Sequence, residues 1–338
     1  MKLDHLLALT DHAVLQHAKF SVPARREGYT VDDNARALVF AAKAQTLWPS
    51  ERLSDLQRKL IGFLLLMQSE SGQFHNLMDF SRRIIDQPAD GDHLGRAIWA
   101  VGAVMNSDLP SGVKASARLI FDRALPWARA STSPRIKGYS CLGLAERLQA
   151  ETEDSNLKAN LKELADNLLG LYNRNCAPAW KWFENILSYD NARLSQALFA
   201  AYQSLGERKY LDVALESLRF LESVTTIEGI YVPIGSKGWY VKDRERALYD
   251  QQPIEAGSMV EAVALAYRLT KSAHHENTLR QALGWFLGAN AKAVTVYDES
   301  TGACHDGITS EGLNENQGAE STVAFLLAAE SFIEHFTR

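Results

Sequence analysis

Apolar residues recur along this chain at helical spacing, and no stretch alternates convincingly with the period of two that a half-buried strand requires. Residues 2 to 17 carry Leu3, Leu6, Leu7, Val14 and Leu15 on one stripe and read as a first amphipathic helix. Others of the same kind are expected at 53 to 68, 113 to 128, 157 to 172, 210 to 221 and 277 to 291. Segments of a different character lie between them, starting near residues 32, 92, 136, 189, 253 and 317. Each opens on polar or acidic residues and continues into Ala, Gly and Ser. The two kinds alternate strictly, six of each. An amphipathic helix buries one stripe, whereas a helix that is small and apolar all round is buried all round. Six helical hairpins closed into a ring, with the small-residue helices inside, satisfy both patterns, so an all-α fold with residues 1–338 as one domain is expected.

The connections that precede the inner helices are the long ones, and they hold the Trp, Tyr, His, Arg and acidic residues. All would open on one end of the ring, where a site is expected. A short hairpin is expected between Gly229 and Tyr240. Two inner helices start alike: Asp33-Asn34-Ala35-Arg36 returns as Asp190-Asn191-Ala192-Arg193, each residue 157 positions after its counterpart. The copies differ one residue earlier, where Asp32 is matched by Tyr189.

This arrangement resembles the six-hairpin, or (α/α)6 toroid, glycosidase-like superfamily over essentially the whole chain. Residues Thr30 to Arg36 and Asp250 to Ala256 resemble segments of bacterial proteins encoded beside, or fused to, glycosyltransferases, which implies a functional link to such an enzyme. Asp32-Asp33-Asn34 is also similar to the paired-aspartate motif of bacterial α-mannanases of this fold, although the sequence downstream departs from it.

Composition narrows the partners. A net charge of −5 offers no general attraction to nucleic acid or anionic membranes, and no apolar run approaches the length of a membrane span. Asp4 and Asp11 interrupt the N-terminal apolar residues, so no secretory signal is read there and a cytoplasmic protein is expected. Cys141, Cys176 and Cys304 are odd in number and far apart, which argues for reduced thiols.

The candidate chemistry is carboxylate acid/base catalysis. Asp32 and Asp33 lie in a helix's first turn, where the free N–H groups and the dipole favour an acid. One acid satisfies that role; a second, adjacent one repels it and points about 100° away on the helix. The second copy keeps only the member matching Asp33, so Asp32 is the catalytic candidate and Asp33 a scaffold or sugar-binding group. Glycoside cleavage needs a further carboxyl across the cavity, roughly 5–5.5 Å away for retention or 6.5–9.5 Å for inversion. Glu255 and Glu320, each on a small-residue helix, are the candidates, with Glu184 a third. Asn34, Arg36, His93, Arg96, Tyr189, Asp190, Arg193 and Gln252 are candidates for hydroxyl recognition, and Trp182 and Trp239 for stacking on a sugar ring.

The expected function is therefore a glycoside hydrolase acting on an oligosaccharide, with no organic cofactor and no metal. Two other readings stay open. Some toroids are sugar epimerases with histidine acid and base, and His75, His93 and His305 lie in loops on the expected site end. A non-catalytic carbohydrate-binding domain serving a glycosyltransferase is the other; it gains if every acid of the lumen is locked to an arginine. Zinc held by two Cys and one His, as in lanthionine-forming cyclases of this shape, finds only Cys304-His305 here.

Overall fold

The computed structural model describes residues 2–337 and contains twelve α-helices among them. Six are the small-residue helices: α2 (Val31–Leu47), α4 (Asp92–Met105), α6 (Pro134–Ala150), α8 (Ala192–Leu205), α10 (Pro253–Thr270) and α12 (Ala319–Thr337). Each packs on the next and α12 returns to α2, which closes the ring. Their neighbours α3 (Glu51–Met67), α5 (Ser111–Ala130), α7 (Ser155–Asn175), α9 (Arg208–Thr225) and α11 (Ala273–Phe286) form the outer layer. This is the (α/α)6 toroid.

Glycines set the inner spacing. A methyl group at Gly102 of α4 would lie 2.3 Å from the carbonyl oxygen of Gly143 of α6, and one at Gly143 would lie 2.5 Å from that of Ile98. The two backbones are therefore in direct contact. Gly257 plays the same part in α10, facing the Ala324 carbonyl of α12 at 2.8 Å. Helix starts follow local rules: Thr30 accepts from the Asp33 amide at 3.1 Å and Ser133 from Ile136 at 3.3 Å, while Pro134 and Pro253 occupy first-turn positions that need no amide hydrogen. The outer helices bury one stripe; in α7 it is Leu157, Leu161, Leu164, Leu168 and Tyr172.

The amphipathic helix expected over residues 2 to 17 is instead a short helix, α1 (Asp4–Ala8), followed by a loop. Leu6 is buried from α1, and Val14 and Leu15 are buried as the pattern requires, but without a helix. The reason is Asn34: its side chain accepts from the Val14 amide at 2.7 Å and donates to the Val14 carbonyl at 3.1 Å, and the extended residue 15 bridges to Tyr29. Burial and backbone pairing are both met by a strap across the start of α2. The expected helix at 277 to 291 runs from Ala273 to Phe286, and the hairpin expected between Gly229 and Tyr240 lies earlier, Thr226–Ile227 paired with Ile230–Tyr231, because Tyr240–Val241 pairs instead with Ile186–Leu187.

The long loops pair with one another. Tyr29–Thr30 pairs with Leu77–Met78, Ile186–Leu187 with Tyr240–Val241, and Gln251 bridges to Ile308. Segments entering α2, α4, α8, α10 and α12 are thereby gathered at one end of the ring, above the N-termini of the inner helices.

Candidate functional site

At that end lies a cavity of about 460 Å³ whose walls include Asp32, Asp33, Arg36, Asn76, Gln252 and Glu320. The start of α2 supplies the first three, and α12 supplies Glu320 in its first turn. Arg36 spans the gap: one guanidinium nitrogen reaches Asp33 at 2.8 Å and another reaches Glu320 at 2.7 Å. Thr30 donates its hydroxyl to the other oxygen of Asp33 at 2.6 Å. Asp33 is thus fully engaged, with 9% of its side chain exposed, whereas Asp32 exposes 23% and Glu320 38%.

Asp32 turns the other way, as adjacent helix positions must. It receives Arg96 of α4 on one oxygen and the Asn76 amide on the other at 3.2 Å. Burial works against the charge of both aspartates. At Asp32 the cations Arg96 and Arg36 outweigh burial and hold the carboxyl below its ordinary range. At Asp33 burial prevails, with Glu320 and Asp32 adding to the rise against Arg36, so this carboxyl stands above its ordinary range. Neighbouring carboxyls are thereby separated into a firmly ionised one and one held towards its protonated form.

A buried network runs on from Arg96. Its other nitrogen donates to the Tyr139 hydroxyl at 2.8 Å, Tyr139 donates to Asp190, and Asp190 lies 3.3 Å from Arg193, which continues to Glu261 at 2.5 Å. Burial keeps Tyr139 protonated, so it bridges as a neutral donor. Asp190, Arg193 and Arg96 are buried and lie behind the cavity wall.

Glu255 lies apart. It is 4% exposed, accepts from the backbone amides of Asp190 and Asn191 and from the Asn191 side chain at 2.9 Å, and does not line the cavity. Burial, reinforced by the charge of Asp190, pushes it up to about 8. Of the two carboxyls read from sequence as partners for Asp32, Glu320 shares its cavity and Glu255 does not. Glu184 is paired with Arg135 at 2.6 Å. Asn34 is fully buried and spent on Val14. His93 is buried with a ring nitrogen 3.2 Å from the Phe74 carbonyl, and His75 contacts the Asp86 carbonyl at 2.9 Å. His305 reaches Gln317 at 3.3 Å.

The aromatic candidates divide. Trp182 is fully buried against Phe183 and presents no face to a ligand. Tyr189 and Trp239 are partly exposed with ring centres 6.2 Å apart, Tyr189 donating to Asp92 at 2.5 Å and covered on one side by the Arg135 guanidinium.

Among the wall residues that are not sequence candidates are Asn76, His17 and Asp306. Asn76 lies in the polar connection before α4 but shows its role only through its contacts with Asp32. His17 falls in the segment misread as helix, and Asp306, which receives the Gly318 amide and the Ser321 hydroxyl at 2.8 Å each, follows His305 in a loop without periodic pattern.

No protein-family model matches the sequence, and a search of curated proteins finds no significant match. Solved structures do match. A D-mannose isomerase superposes with a TM-score of 0.76 over 98% of this chain and 94% of its own, at 14% identity. A cellobiose 2-epimerase from Bacillus thermoamylovorans gives 0.74 over 98% and 95%, at 10% identity. An α-1,6-mannanase from Salegentibacter gives 0.65 over 98% and 96%, at 13% identity; it is an inactive variant with two consecutive aspartates changed to asparagine, in complex with α-1,6-mannotriose. At such identities the likeness establishes the fold.

Proposed function

We propose that this protein is a carbohydrate-active enzyme, a glycoside hydrolase whose oligosaccharide enters the cavity above α2 and α12. The observation that carries this reading is the placement of Asp32 and Glu320: both reach one cavity, Glu320 paired with Arg36 and Asp32 held ionised by Arg96. Asp32 serves as the base or nucleophile. Glu320, the more exposed carboxyl, delivers the proton to the leaving oxygen. Asp33 orients Arg36, and Gln252 and Asn76 offer amide groups to sugar hydroxyls. The mannanase neighbour supports the reading, since its inactive form lacks two consecutive aspartates and this chain carries such a pair in its cavity.

A second reading rests on the ion pairs. Three of the four cavity acids, Asp32, Asp33 and Glu320, contact an arginine, which favours a non-catalytic sugar-binding role, although Asp306 is held by the Gly318 amide and the Ser321 hydroxyl instead. The deciding experiment incubates the full chain, and its Asp32→Asn variant, with α-1,6-mannotriose, cellobiose and D-mannose, and resolves products by chromatography. Hydrolysis is read as new shorter sugars and is expected to vanish in the variant. Conversion to an isomer of unchanged mass would replace hydrolysis by epimerase or isomerase chemistry. Saturable binding without any product would establish the binding role.

A further inference from the structure

We infer that Glu222, His274 and His275 form a divalent transition-metal site of the zinc class, joining the last turns of α9 to the first turn of α11. It is separate from the sugar cavity, and it departs from the metal-free expectation drawn from sequence. One ligand atom from each of the three residues falls within 4.8 Å of the others. Glu222 is 6% exposed and His275 3%, yet one oxygen of Glu222 and Nδ1 of His275 have no hydrogen-bond partner and stand 3.8 Å apart. At 3.8 Å the two atoms are beyond hydrogen-bond length and form an ion pair only when His275 is protonated; with a neutral ring both carry an unrelieved desolvation penalty.

A structural role explains half of this. The uncapped start of α11 welcomes an acid, and the other oxygen of Glu222 meets His274 Nε2 at 2.8 Å. That role leaves the second oxygen and the His275 nitrogen unanswered, and one cation between the three residues satisfies both. Two imidazoles and a carboxylate are the donor set of zinc and its neighbours, while magnesium and calcium take oxygen. With bonds of about 2.0–2.2 Å in a tetrahedron, donors lie roughly 3.3 Å apart. The 3.8 Å pair closes slightly to reach that spacing, and the His274 ring turns from the other carboxylate oxygen to the metal. His274, whose side chain is 58% exposed, has the freedom to move. Three protein ligands leave a fourth position. A neighbouring cavity of about 640 Å³, lined by the same three residues with Arg219, Asn277 and Gln281, gives that position room for water or a small anion. Because α9 and α11 belong to successive hairpins, bound metal ties two units of the ring together.

The test strips the full-length protein with a chelator and titrates Zn²⁺, Mg²⁺ and Ca²⁺ by calorimetry, then records the visible spectrum with Co²⁺. One equivalent of Zn²⁺, a raised Tm, no response to Mg²⁺ or Ca²⁺ and an intense four-coordinate Co²⁺ band are expected. His274→Ala, which removes an exposed ring, and Glu222→Gln should each weaken Zn²⁺ binding at least tenfold and abolish the cobalt band. Zinc binding unchanged in both variants, or absent from the wild type, overturns the proposal. If Glu222→Gln is unstable, His274→Ala decides alone.

Discussion

Glu255, in the first turn of α10, caps the adjacent inner helix α8: its carboxylate accepts from the amides of Asp190 and Asn191, where α8 has no side-chain cap of its own. Such a cap comes from a helix more than sixty residues away, so it leaves no local signature. Because burial pushes Glu255 up to about 8, far above its ordinary value near 4.5, its contribution to stability is complete below pH 4.5 and is lost as pH rises through 8. A Glu255→Gln variant keeps an acceptor without titrating. Urea unfolding should therefore show wild type falling relative to Glu255→Gln between pH 5 and 9. A constant difference across that range would mean Glu255 does not titrate there. Glu255→Ala, which strands both amides, should cost about 1–3 kcal/mol at pH 5.

The contact between Gly102 and Gly143 sets how closely α4 and α6 approach. Gly102→Ala places a methyl 2.3 Å from a backbone oxygen, which cannot rotate away, so the helices must part. Overpacking of this sort typically costs about 1–3 kcal/mol, partly offset by the better helix propensity of alanine. Gly112, at which a methyl meets nothing within 4 Å, is the control, and Gly112→Ala should leave the denaturation midpoint unchanged or raise it. Equal effects at both positions would remove the steric account.

The ring was legible because two physical demands write themselves at helical period: one buried stripe on the outer helices, and small residues wherever inner backbones touch. The repeated Asp-Asn-Ala-Arg was legible as well, since Asp33 with Arg36 and Asp190 with Arg193 both form pairs three residues apart. Its two copies are not equivalent in backbone, however. Asp33 lies within the first turn of α2, whereas Asp190 has φ of +49° and precedes α8. Their asparagines diverge further, Asn34 holding Val14 and Asn191 holding Glu255. What periodicity does not encode is which long-range partner a polar side chain finds. For that reason Trp182 read as a sugar platform although it is buried, and residues 2 to 17 read as a helix although a side chain from α2 had claimed their backbone.

Asn34 therefore yields a prediction of its own. Asn34→Ala removes both bonds to Val14 and leaves a buried amide and carbonyl unpaired, at a cost of roughly 2–4 kcal/mol for the two groups. The loss should be local. Hydrogen exchange at the amides of Val14 and its neighbours should accelerate strongly, while exchange in α6 and α8 stays near wild type. Uniform acceleration throughout the ring would show that the strap is not a separable unit.

Asp32 offers a test that does not depend on knowing the substrate. Burial opposes its charge, but Arg96 and Arg36 hold its carboxyl below the ordinary value of 3.8, so the ion pair's contribution is present above that pH and is lost as pH falls through the depressed value. Asp32→Asn keeps the hydrogen bond to Arg96 and removes the charge. It should cost about 1–3 kcal/mol at pH 6, because the Arg96 guanidinium is buried and its other acid, Asp190, lies 3.9 Å away. That deficit should persist down to pH 4 and shrink only below it. Arg96→Gln should move the point at which it shrinks upwards, since burial then faces one cation fewer. In the assay with sugars, the same Asp32→Asn change should lower turnover by about 10²–10⁴-fold with little change in KM. A stability deficit that vanishes already at pH 5 would show that Asp32 is not held ionised, and the base assigned to it would have to be sought elsewhere.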